Sequence, residues 1–290
     1  MDDVTALPPR HRLDAALVQD LLRVPTGIVA RVVVLDEVGS TNTYLVEEAR
    51  AQAHAWPLPS LVVADHQTQG RGRLDRAWQT PPHTALTCSL LLAPGTPRDT
   101  WGWLPLLTGL AASRAVSATT GVQVVTKWPN DLLVEAPDGE DMLGWGAMRK
   151  VGGILTEVVD AERVVVGLGL NVLQTAEELP VPSASSLWLS GASPSREMLL
   201  TALQESLADV VRQWREADGD AFAAGLGAEV EARMATVGRD VRVLVPGGKE
   251  VRGTAAGLGM DGSLVVETVH GERCEVRSGD VSHVRTVGSA

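Results

Sequence analysis

Lys150-Val151-Gly152-Gly153-Ile154-Leu155-Thr156-Glu157 has the character of a β-strand, and a β-branched run from Arg163 to Leu168 follows it after a short turn. Further strand-like runs extend from Thr84 to Leu92, from Val122 to Thr126 and from Leu132 to Val134. Consecutive strands without intervening helices are typical of an antiparallel or mixed sheet. The chain is therefore predicted to have an α+β fold rather than a doubly wound parallel one.

Helical spacing of apolar residues predicts helices beside this sheet. Their approximate limits are Arg12 to Arg23, Thr41 to Ala53, Trp101 to Thr119, a helix opened by Ser193-Pro194, and Asp220 to Met234. Serine followed by proline is the pattern of a capped helix start with proline at its first position. From Gly238 onward the chain changes to short β-rich runs between glycine turns, which predict a small all-β barrel.

The composition excludes several classes of protein. The chain of 290 residues carries a formal net charge of −11, which argues against a general affinity for nucleic acid or an anionic membrane. Its two cysteines, Cys88 and Cys274, do not form the pattern of a secreted disulfide scaffold. A leader segment and an apolar run long enough to span a bilayer are both missing. We therefore expect a soluble cytoplasmic protein without nucleic-acid or membrane partners.

A basic loop is the most unusual feature of the sequence. In Gly70-Arg71-Gly72-Arg73-Leu74-Asp75-Arg76-Ala77-Trp78, arginines alternate with glycines and the segment ends on a tryptophan. Glycines allow the backbone to approach a ligand, and closely spaced guanidiniums can converge on one phosphate or carboxylate. The loop is interpreted as an anion-binding segment, with a solvated basic turn as the alternative.

Other polar segments follow or begin the predicted strands. They are Ser40-Thr41-Asn42, Gln67 to Gln69, Lys127-Trp128-Pro129-Asn130-Asp131, Lys150 with Gly153, and Gly169-Leu170-Asn171. If the strands are neighbours, these segments converge into one site. Taken singly, Lys127 could be a surface lysine and Asp131 the cap of a turn.

Together with the basic loop, these segments supply cations and one acid that suit the joining of two anions. A carboxylate that attacks ATP needs neighbouring cations and a metal ion to neutralise both partners. Asp131 could hold that metal as Mg²⁺, which accepts one or two carboxylates and otherwise keeps phosphate and water ligands. A Walker A sequence and a Gly-x-Ser-x-Gly elbow are both missing from the chain, and the histidines lack metal-ligand spacing.

Four motifs closely resemble those of the biotin protein ligases. They are Gly70-Arg71-Gly72-Arg73-x-x-Arg76-x-Trp78, Lys127-Trp128-Pro129-Asn130-Asp131, Lys150-x-x-Gly153-Ile154-Leu155-x-Glu157 and Gly167-x-Gly169-x-Asn171. The resemblance extends over about Asp36 to Asn171. It implies a mixed-sheet catalytic domain of the class II aminoacyl-tRNA synthetase and biotin ligase type, followed by a small SH3-like β-barrel. The expected division is 1–35 for an N-terminal arm and short helix, 36–235 for the biotin- and ATP-binding catalytic domain, and 236–290 for the barrel.

The resemblance also implies an activity and a set of functional residues. Members of this family form biotinyl-5'-AMP from biotin and ATP with Mg²⁺, then transfer biotin to one lysine of the biotin carboxyl carrier domain of an acetyl-CoA or acyl-CoA carboxylase. The implied biotin-binding residues are Ser40, Thr41, Asn42, Gln67, Gly70, Arg71, Gly72, Lys150, Gly153 and Gly169. The implied ATP-binding residues are Arg73, Arg76, Trp78, Lys127, Asn130 and Asn171. Arg73, Lys150 and Asp131 are the implied catalytic residues, and Asp131 is also the implied metal ligand.

Two features depart from the family pattern, and three other functions compete with the ligase assignment. Asp75 stands where many members carry glycine, and the connection between Val134 and Lys150 is longer than usual. A lipoate or octanoate ligase is disfavoured because the chain lacks their Ser-Gly-Gly-Gly segment. A ligase that also represses transcription requires an N-terminal helix-turn-helix of roughly 60 residues, yet here the catalytic motifs begin near residue 36. A monofunctional enzyme is therefore expected. Its expected state is a monomer or weak homodimer. A non-catalytic biotin-binding scaffold is disfavoured by Asp131, Lys127 and Arg73.

Overall fold

The computed structural model describes residues 9–283. Most of the predicted N-terminal arm and the last residues of the predicted barrel lie outside the described residues, as does the side chain of Asp75. Within residues 9–283, no helix has both the length and the apolar character that crossing a membrane requires.

A seven-stranded mixed sheet forms the centre of the larger unit. This unit contains nine strands, of which seven form the sheet. They are β1 Arg31–Val38, β2 Ser60–Gln67, β3 Gly70–Arg71, β4 Ala77–Trp78, β5 Ala85–Leu92, β6 Val125–Lys127, β7 Asp131–Glu135, β8 Met148–Val158 and β9 Val164–Asn171. The order in the sheet is β1-β2-β5-β9-β8-β7-β6, and β3 pairs with β4 as a separate ribbon. β1 and β2 run parallel, whereas the other neighbours in the sheet are antiparallel. The predicted α+β class is therefore confirmed.

Helices cover the sheet, and its central strands are apolar on both faces. The helices are α1 Ala15–Leu22, α2 Thr41–Ala51, α3 Leu104–Thr120, α4 Arg196–Glu216 and α5 Leu226–Ala232. Every residue of β5 is buried, since α3 and α4 share one apolar core with the sheet and α2 forms a second one with it. Ser40 caps α2 by accepting a hydrogen bond from the amide of Thr43, which fixes the polar start of this helix beside the end of β1.

The starts of the last two helices differ from the prediction. α4 begins after Ser195, whose hydroxyl accepts a hydrogen bond from the Met198 amide, so the cap is not Ser193 and Pro194 precedes the helix. Of the predicted helix from Asp220 to Met234, only α5, Leu226–Ala232, is an α-helix. The Asp220 carboxylate accepts hydrogen bonds from the backbone N–H groups of Phe222 and Ala223, and Gly225 has φ 75°. The chain therefore turns before it becomes helical.

The C-terminal unit is a five-stranded antiparallel sheet. Its strands are β10 Asp240–Leu244, β11 Glu250–Leu258, β12 Leu264–Glu267, β13 Arg273–Val276 and β14 Asp280–His283, in the order β13-β12-β11-β10-β14. In the part of the chain that the structure describes, no hydrogen-bonded pairing joins β13 to β14. The predicted barrel is thus observed as an open antiparallel sheet. β14 was not predicted because it is short and polar.

Two buried tryptophans join this sheet to the larger unit. Trp103 Nε1 donates to Met260 O at 2.8 Å, and Trp128 Nε1 donates to Gly262 O at 3.1 Å. The backbones approach so closely that a Cβ atom on Gly102 would lie 2.3 Å from Asp261 O. These contacts fix the C-terminal sheet beside the end of β6, next to the predicted site.

Candidate active site

A cleft of about 580 Å³ lies where the ends of β1, β2, β6 and β9 meet the basic loop. All of the predicted site residues line it except Gly70. A Cβ atom on Gly70 would lie 2.4 Å from Trp78 O, so this glycine permits the close β3–β4 pairing at the base of the loop. The predicted convergence of polar strand ends is therefore observed.

A network of buried polar side chains forms one end of the cleft. Gln67 Oε1 accepts hydrogen bonds from Thr41 N at 2.8 Å and Thr41 Oγ1 at 3.0 Å. Ser89 Oγ lies 2.7 Å from Thr41 Oγ1 and 2.6 Å from Asn42 Oδ1. Ser89 was not predicted as a site residue, although a hydroxyl within the apolar run of β5 was the available signal. This end of the cleft, termed the polar end (Ser40, Thr41, Asn42, Gln67, Ser89), is held by internal hydrogen bonds.

Glu157 links the polar end to the basic loop. Its carboxylate accepts a hydrogen bond from Asn42 Nδ2 at 2.9 Å and one from Arg71 Nη2 at 2.9 Å. A Cβ atom on Gly167 would lie 2.0 Å from Asn42 Oδ1, so the glycine makes room for this amide. The sequence analysis places Glu157 at the end of one family motif but assigns it no function.

An ion pair occupies the middle of the cleft. Lys150 Nζ lies 2.5 Å from Asp131 Oδ1, between neighbouring strands β7 and β8. A Cβ atom on Gly153 would lie 3.3 Å from Lys150 Nζ, so this glycine keeps space open above the pair. The main chain of Lys150 is also fixed, because its N–H donates to Ser183 O and its carbonyl accepts from Ser185 N.

Lys127 is a buried cation rather than a surface lysine. Its side chain contacts the face of Trp145, with Nζ 4.2 Å from the ring centroid. Burial lowers the pKa of the Lys127 ammonium, and the nearby Asp131 carboxylate partly opposes that shift. Burial also raises the pKa of the Cys88 thiol, on the floor of the cleft, to about 12, so this thiol stays protonated at neutral pH.

The basic loop, residues 70–78, touches both units of the chain. Arg73 Nη1 donates to Asn130 Oδ1 at 3.2 Å, and Arg73 Nη2 donates to Ser278 Oγ at 3.1 Å. Arg76 forms an ion pair with Asp280 at the start of β14. Burial lowers the pKa of Arg73, with Asp131 opposing the shift. Arg71 and Arg76 remain exposed, so the loop is neither a free solvated turn nor a buried cradle.

Trp78 and Asn171 occupy different parts of the cleft. The Trp78 indole covers Gly169, where a Cβ atom would lie 2.6 Å from Trp78 Cε2. Asn171 Nδ2 donates to Ser185 O at 2.9 Å, and its Oδ1 accepts from Gln174 Nε2 at 3.0 Å. Asn130 Nδ2 similarly donates to Ile154 O at 2.8 Å. Both asparagines are therefore held in place by neighbouring backbone carbonyls.

The segment from Glu135 to Arg149 is Gly-rich and acidic, and its sequence predicts an exposed hairpin connection; in the structure the connection is residues 136–147, here the hairpin loop. It does connect the paired strands β7 and β8, and its Leu143 is exposed. The prediction did not foresee that Trp145 of this loop lines the cleft and covers Lys127.

The donor atoms in the cleft suit a hard cation shared with a phosphate ligand. Within residues 9–283, no group of three or more His, Cys, Asp or Glu side chains is arranged to hold a metal ion. Asp131 supplies a carboxylate close to the cations of the loop. Mg²⁺ commonly takes one or two protein carboxylates and completes its shell with phosphate oxygens and water, which fits this arrangement.

Comparison with known proteins agrees with this geometry. Residues 34–171 match the biotin/lipoate A/B protein ligase family, and residues 236–284 match the biotin protein ligase C terminal domain. The chain is 36% identical over 256 residues to the biotin--[acetyl-CoA-carboxylase] ligase of Mycobacterium tuberculosis, covering 87% of this chain and 88% of that protein. It is 30% identical to the bifunctional ligase/repressor BirA of Bacillus spizizenii, covering 85% of this chain and 72% of that protein.

A solved structure supports the same relationship. The biotin protein ligase from Aquifex aeolicus, in complex with biotin and ATP, has a TM-score of 0.69 and 28% sequence identity to this chain. The match covers 89% of this chain and 100% of that one. The polar end, the basic loop and the C-terminal sheet thus occur together in a chain that belongs to the biotin protein ligase family.

Proposed function

We propose that this protein is an ATP-dependent ligase that forms biotinyl-5'-AMP and then transfers biotin to a lysine of a biotin carboxyl carrier domain. The observation that carries the proposal is the Lys150–Asp131 pair, which lines the same cleft as an uncharged hydrogen-bonding end and a loop of arginines. Such a cleft suits a substrate with a neutral polar head, a carboxylate in the middle and a polyphosphate partner at the other end.

The polar end would bind the ureido ring of biotin. This ring presents a carbonyl acceptor and N–H donors, which match the hydroxyl, amide and backbone groups of Ser40, Thr41, Asn42 and Gln67. Gly153 would allow close approach of the ligand to β8, and Gly169 would do so at β9 when the Trp78 indole moves aside with the loop. Arg71 with Gly70 and Gly72 would close over the ligand. The hydrogen bonds already made by Gln67 and Thr41 support this role, because they fix the groups before ligand arrives.

In the first step, a carboxylate oxygen of biotin attacks the α-phosphorus of ATP. A bond forms between that oxygen and phosphorus, the bond to the bridging oxygen breaks, and pyrophosphate leaves with its electron pair. Lys150 would neutralise the carboxylate, and Arg73, Arg76 and Lys127 would neutralise the phosphates. Asp131 would hold Mg²⁺, which supplies charge neutralisation on the phosphates when it is bound.

The adenine would lie between the two fixed asparagines. Asn130 and Asn171 each donate one amide N–H to a backbone carbonyl, and the second N–H of each amide would be donated to an acceptor on the base. Trp78 would pack against the bound adenylate from the loop side. Ordering of the loop over the mixed anhydride would exclude water from a reactive intermediate.

In the second step, the ε-amine of the acceptor lysine attacks the acyl carbon of the adenylate. An amide bond forms, the acyl–phosphate bond breaks, AMP leaves and the amine loses a proton. Asp131 would accept that proton, while Lys150 would stabilise charge at the reacting centre. The partner would be the carrier domain of an acetyl-CoA or acyl-CoA carboxylase.

Three further assignments belong to the same proposal. We divide the chain into an arm and short helix at 1–35, a catalytic domain at 36–235 and a C-terminal domain at 236–290. The enzyme would act in the cytoplasm, where its ATP and carboxylase substrates occur. It would do so as a monomer or weak homodimer.

Exchange of labelled pyrophosphate into ATP tests the proposal directly. We expect exchange that depends on biotin and not on lipoate or octanoate. Exchange with lipoate but not biotin would change the substrate assignment. No exchange with any of the three acids would favour a binding scaffold instead.

A further inference from the structure

The hairpin loop lines the cleft and is held in one conformation by its own hydrogen bonds. Its end is closed by the Met142 N–H, which donates to Gly146 O at 2.8 Å, and by the Trp145 N–H, which donates to Met142 O at 3.0 Å. Gly144 and Gly146 have φ of 79° and 62°, so the turns around Trp145 use left-handed backbone that glycine adopts without strain. The position of Trp145 is therefore set by the backbone of the loop.

A buried arginine holds the loop to the sheet. Arg149 is only 7% exposed, and its guanidinium donates to Glu140 O at 2.9 Å, Gly146 O at 3.2 Å and Met148 O at 3.1 Å. A buried cation that serves several backbone carbonyls is satisfied only when the loop keeps this conformation. The anchor explains how a connection of this length can present one side chain to the cleft.

Trp145 is the group that holds the Lys127 ammonium. The ammonium is directed at the ring face, with Nζ 4.2 Å from the centroid. Among the side chains that the structure describes, none makes a hydrogen bond or salt bridge to the Lys127 ammonium, although the charge of Asp131 also attracts it. A desolvated ammonium over the face of an indole is attracted by the negative potential of the ring, so this contact selects one orientation of a flexible side chain.

We propose that Trp145 is a positioning residue for ATP, which fixes the Lys127 ammonium towards the phosphates and leaves the polar end unaffected. The proposal rests on the assignment of Lys127 to the phosphates in the proposed function. It gives the unusually long hairpin loop a task in the first step of the reaction. Without the ring, the Lys127 side chain would sample several rotamers. Binding of ATP would then have to order this side chain, and the entropy lost in doing so would weaken binding.

The test compares the Michaelis constants for ATP and for biotin in biotin-dependent pyrophosphate exchange. We expect Trp145→Leu to raise the KM for ATP about 5- to 30-fold, the range equivalent to a partly desolvated cation–π contact. The KM for biotin should change by less than about two-fold. Trp145→Phe should restore most of the affinity for ATP, because phenylalanine keeps an aromatic face.

Trp101 provides a matched control. It also lies under a cation, with the Arg98 guanidinium carbon 5.3 Å from its ring centroid, but it does not line the cleft. Trp101→Leu should leave both Michaelis constants near their original values. The general cost of losing a half-buried tryptophan would therefore be separated from a specific effect on ATP.

A double-mutant cycle decides whether Trp145 acts through Lys127. In a Lys127→Met background, Trp145→Leu should add little to the KM for ATP, because the ammonium is already gone. Full additivity, an unchanged KM for ATP in Trp145→Leu, or an equal rise in both Michaelis constants would overturn the inference. If Trp145→Leu fails to fold, ring-fluorinated tryptophan at position 145 keeps the shape and weakens the face potential. An unchanged KM for ATP in that protein would overturn it equally.

Failure of the proposed function has a different signature. In that case the unsubstituted protein would show no biotin-dependent exchange, whatever residue stood at position 145. Normal exchange by the unsubstituted protein with no ATP-specific effect of Trp145→Leu would remove only the inference about Trp145.

Discussion

The polar end and the basic loop are held in opposite ways. Thr41, Gln67 and Ser89 are buried and hydrogen-bonded to one another, on elements that belong to the main sheet. Arg71 and Arg76 are exposed, and the loop that carries them is held by contacts to Glu157 and to Asp280 of the C-terminal sheet. Exposed ion pairs contribute about 0–1 kcal/mol each, so the cost of opening the basic loop lies mainly in the hydrogen bonds of the half-buried Arg73 to Asn130 and Ser278. The polar end cannot open in this way.

This difference suggests a division of work along the cleft. A rigid end can discriminate the shape and hydrogen bonds of a ligand, because its groups cannot rearrange around a wrong one. A loosely held basic loop can admit a triphosphate, order around it and release pyrophosphate. Substitutions at the polar end should therefore change biotin affinity, and those in the loop should change the rate of adenylation.

The largest effect is expected at Arg73. Arg73→Ala should lower the rate of biotin-dependent adenylation by about 10²- to 10³-fold, as for loss of a charged group that stabilises the transition state. The free energy of unfolding should fall by about 1 kcal/mol or less, since the side chain is only partly buried. Single-turnover formation of biotinyl-5'-AMP and thermal unfolding measure the two effects. Arg273→Ala, at an exposed position of β13, is the control. Near-normal adenylation in Arg73→Ala would contradict the role of the loop.

A steric change at the polar end should act mainly on biotin. Gly167→Ala places a methyl group where Asn42 Oδ1 lies, only 2.0 Å away, so the Asn42 amide must leave its network. We expect the KM for biotin to rise roughly 10- to 100-fold and stability to fall by about 1–3 kcal/mol. Gly39→Ala is a suitable control, because the nearest atom to its methyl group would be 4.0 Å away. Equal increases in the KM for biotin and for ATP would contradict the division of work.

Glu157 tests the link between the two regions. Glu157→Gln keeps the size of the side chain but removes the charge that Arg71 contacts at 2.9 Å. We expect about a 3- to 10-fold rise in the Kd for biotin, consistent with weakening one charge-assisted hydrogen bond. Calorimetric titration with biotin gives the affinity without turnover. An unchanged affinity would mean that Arg71 reaches the ligand without help from Glu157.

The smallest effect is expected at Asp280. Asp280→Asn should change the adenylation rate by about two-fold or less, because its pair with Arg76 is exposed and weak. The difference should shrink further at high ionic strength, where such pairs are screened. Adenylation rates at two salt concentrations measure this. A large loss that persists at high salt would show that the loop is held far more firmly than its contacts indicate.

Sequence patterns within short windows predicted much of the site, whereas its contacts between distant residues could not be predicted. The strands, the cap of α2 at Ser40 and the convergence of polar strand ends follow from residue patterns within short windows. The pair of Arg76 with Asp280 joins residues 204 positions apart, and no local pattern specifies it. Ser89 lies inside an apolar strand, so its hydroxyl looked like an ordinary core residue. Trp145 lies in a glycine-rich segment, and its direction depends on the backbone turn of that loop and on the Arg149 anchor, neither of which a local pattern specifies.

The two tryptophan hydrogen bonds to the turn before β12 have a consequence for engineering. Trp103 and Trp128 donate to the backbone carbonyls of Met260 and Gly262, and position 262 must stay glycine because a Cβ atom there would lie 2.8 Å from Gly102 C. A C-terminal module transplanted from a relative should dock correctly if it preserves the path of this turn. The interchangeable module would then set how tightly the basic loop is held, through the residues it places at positions 278 and 280. Loop opening could thereby be tuned without altering the catalytic domain.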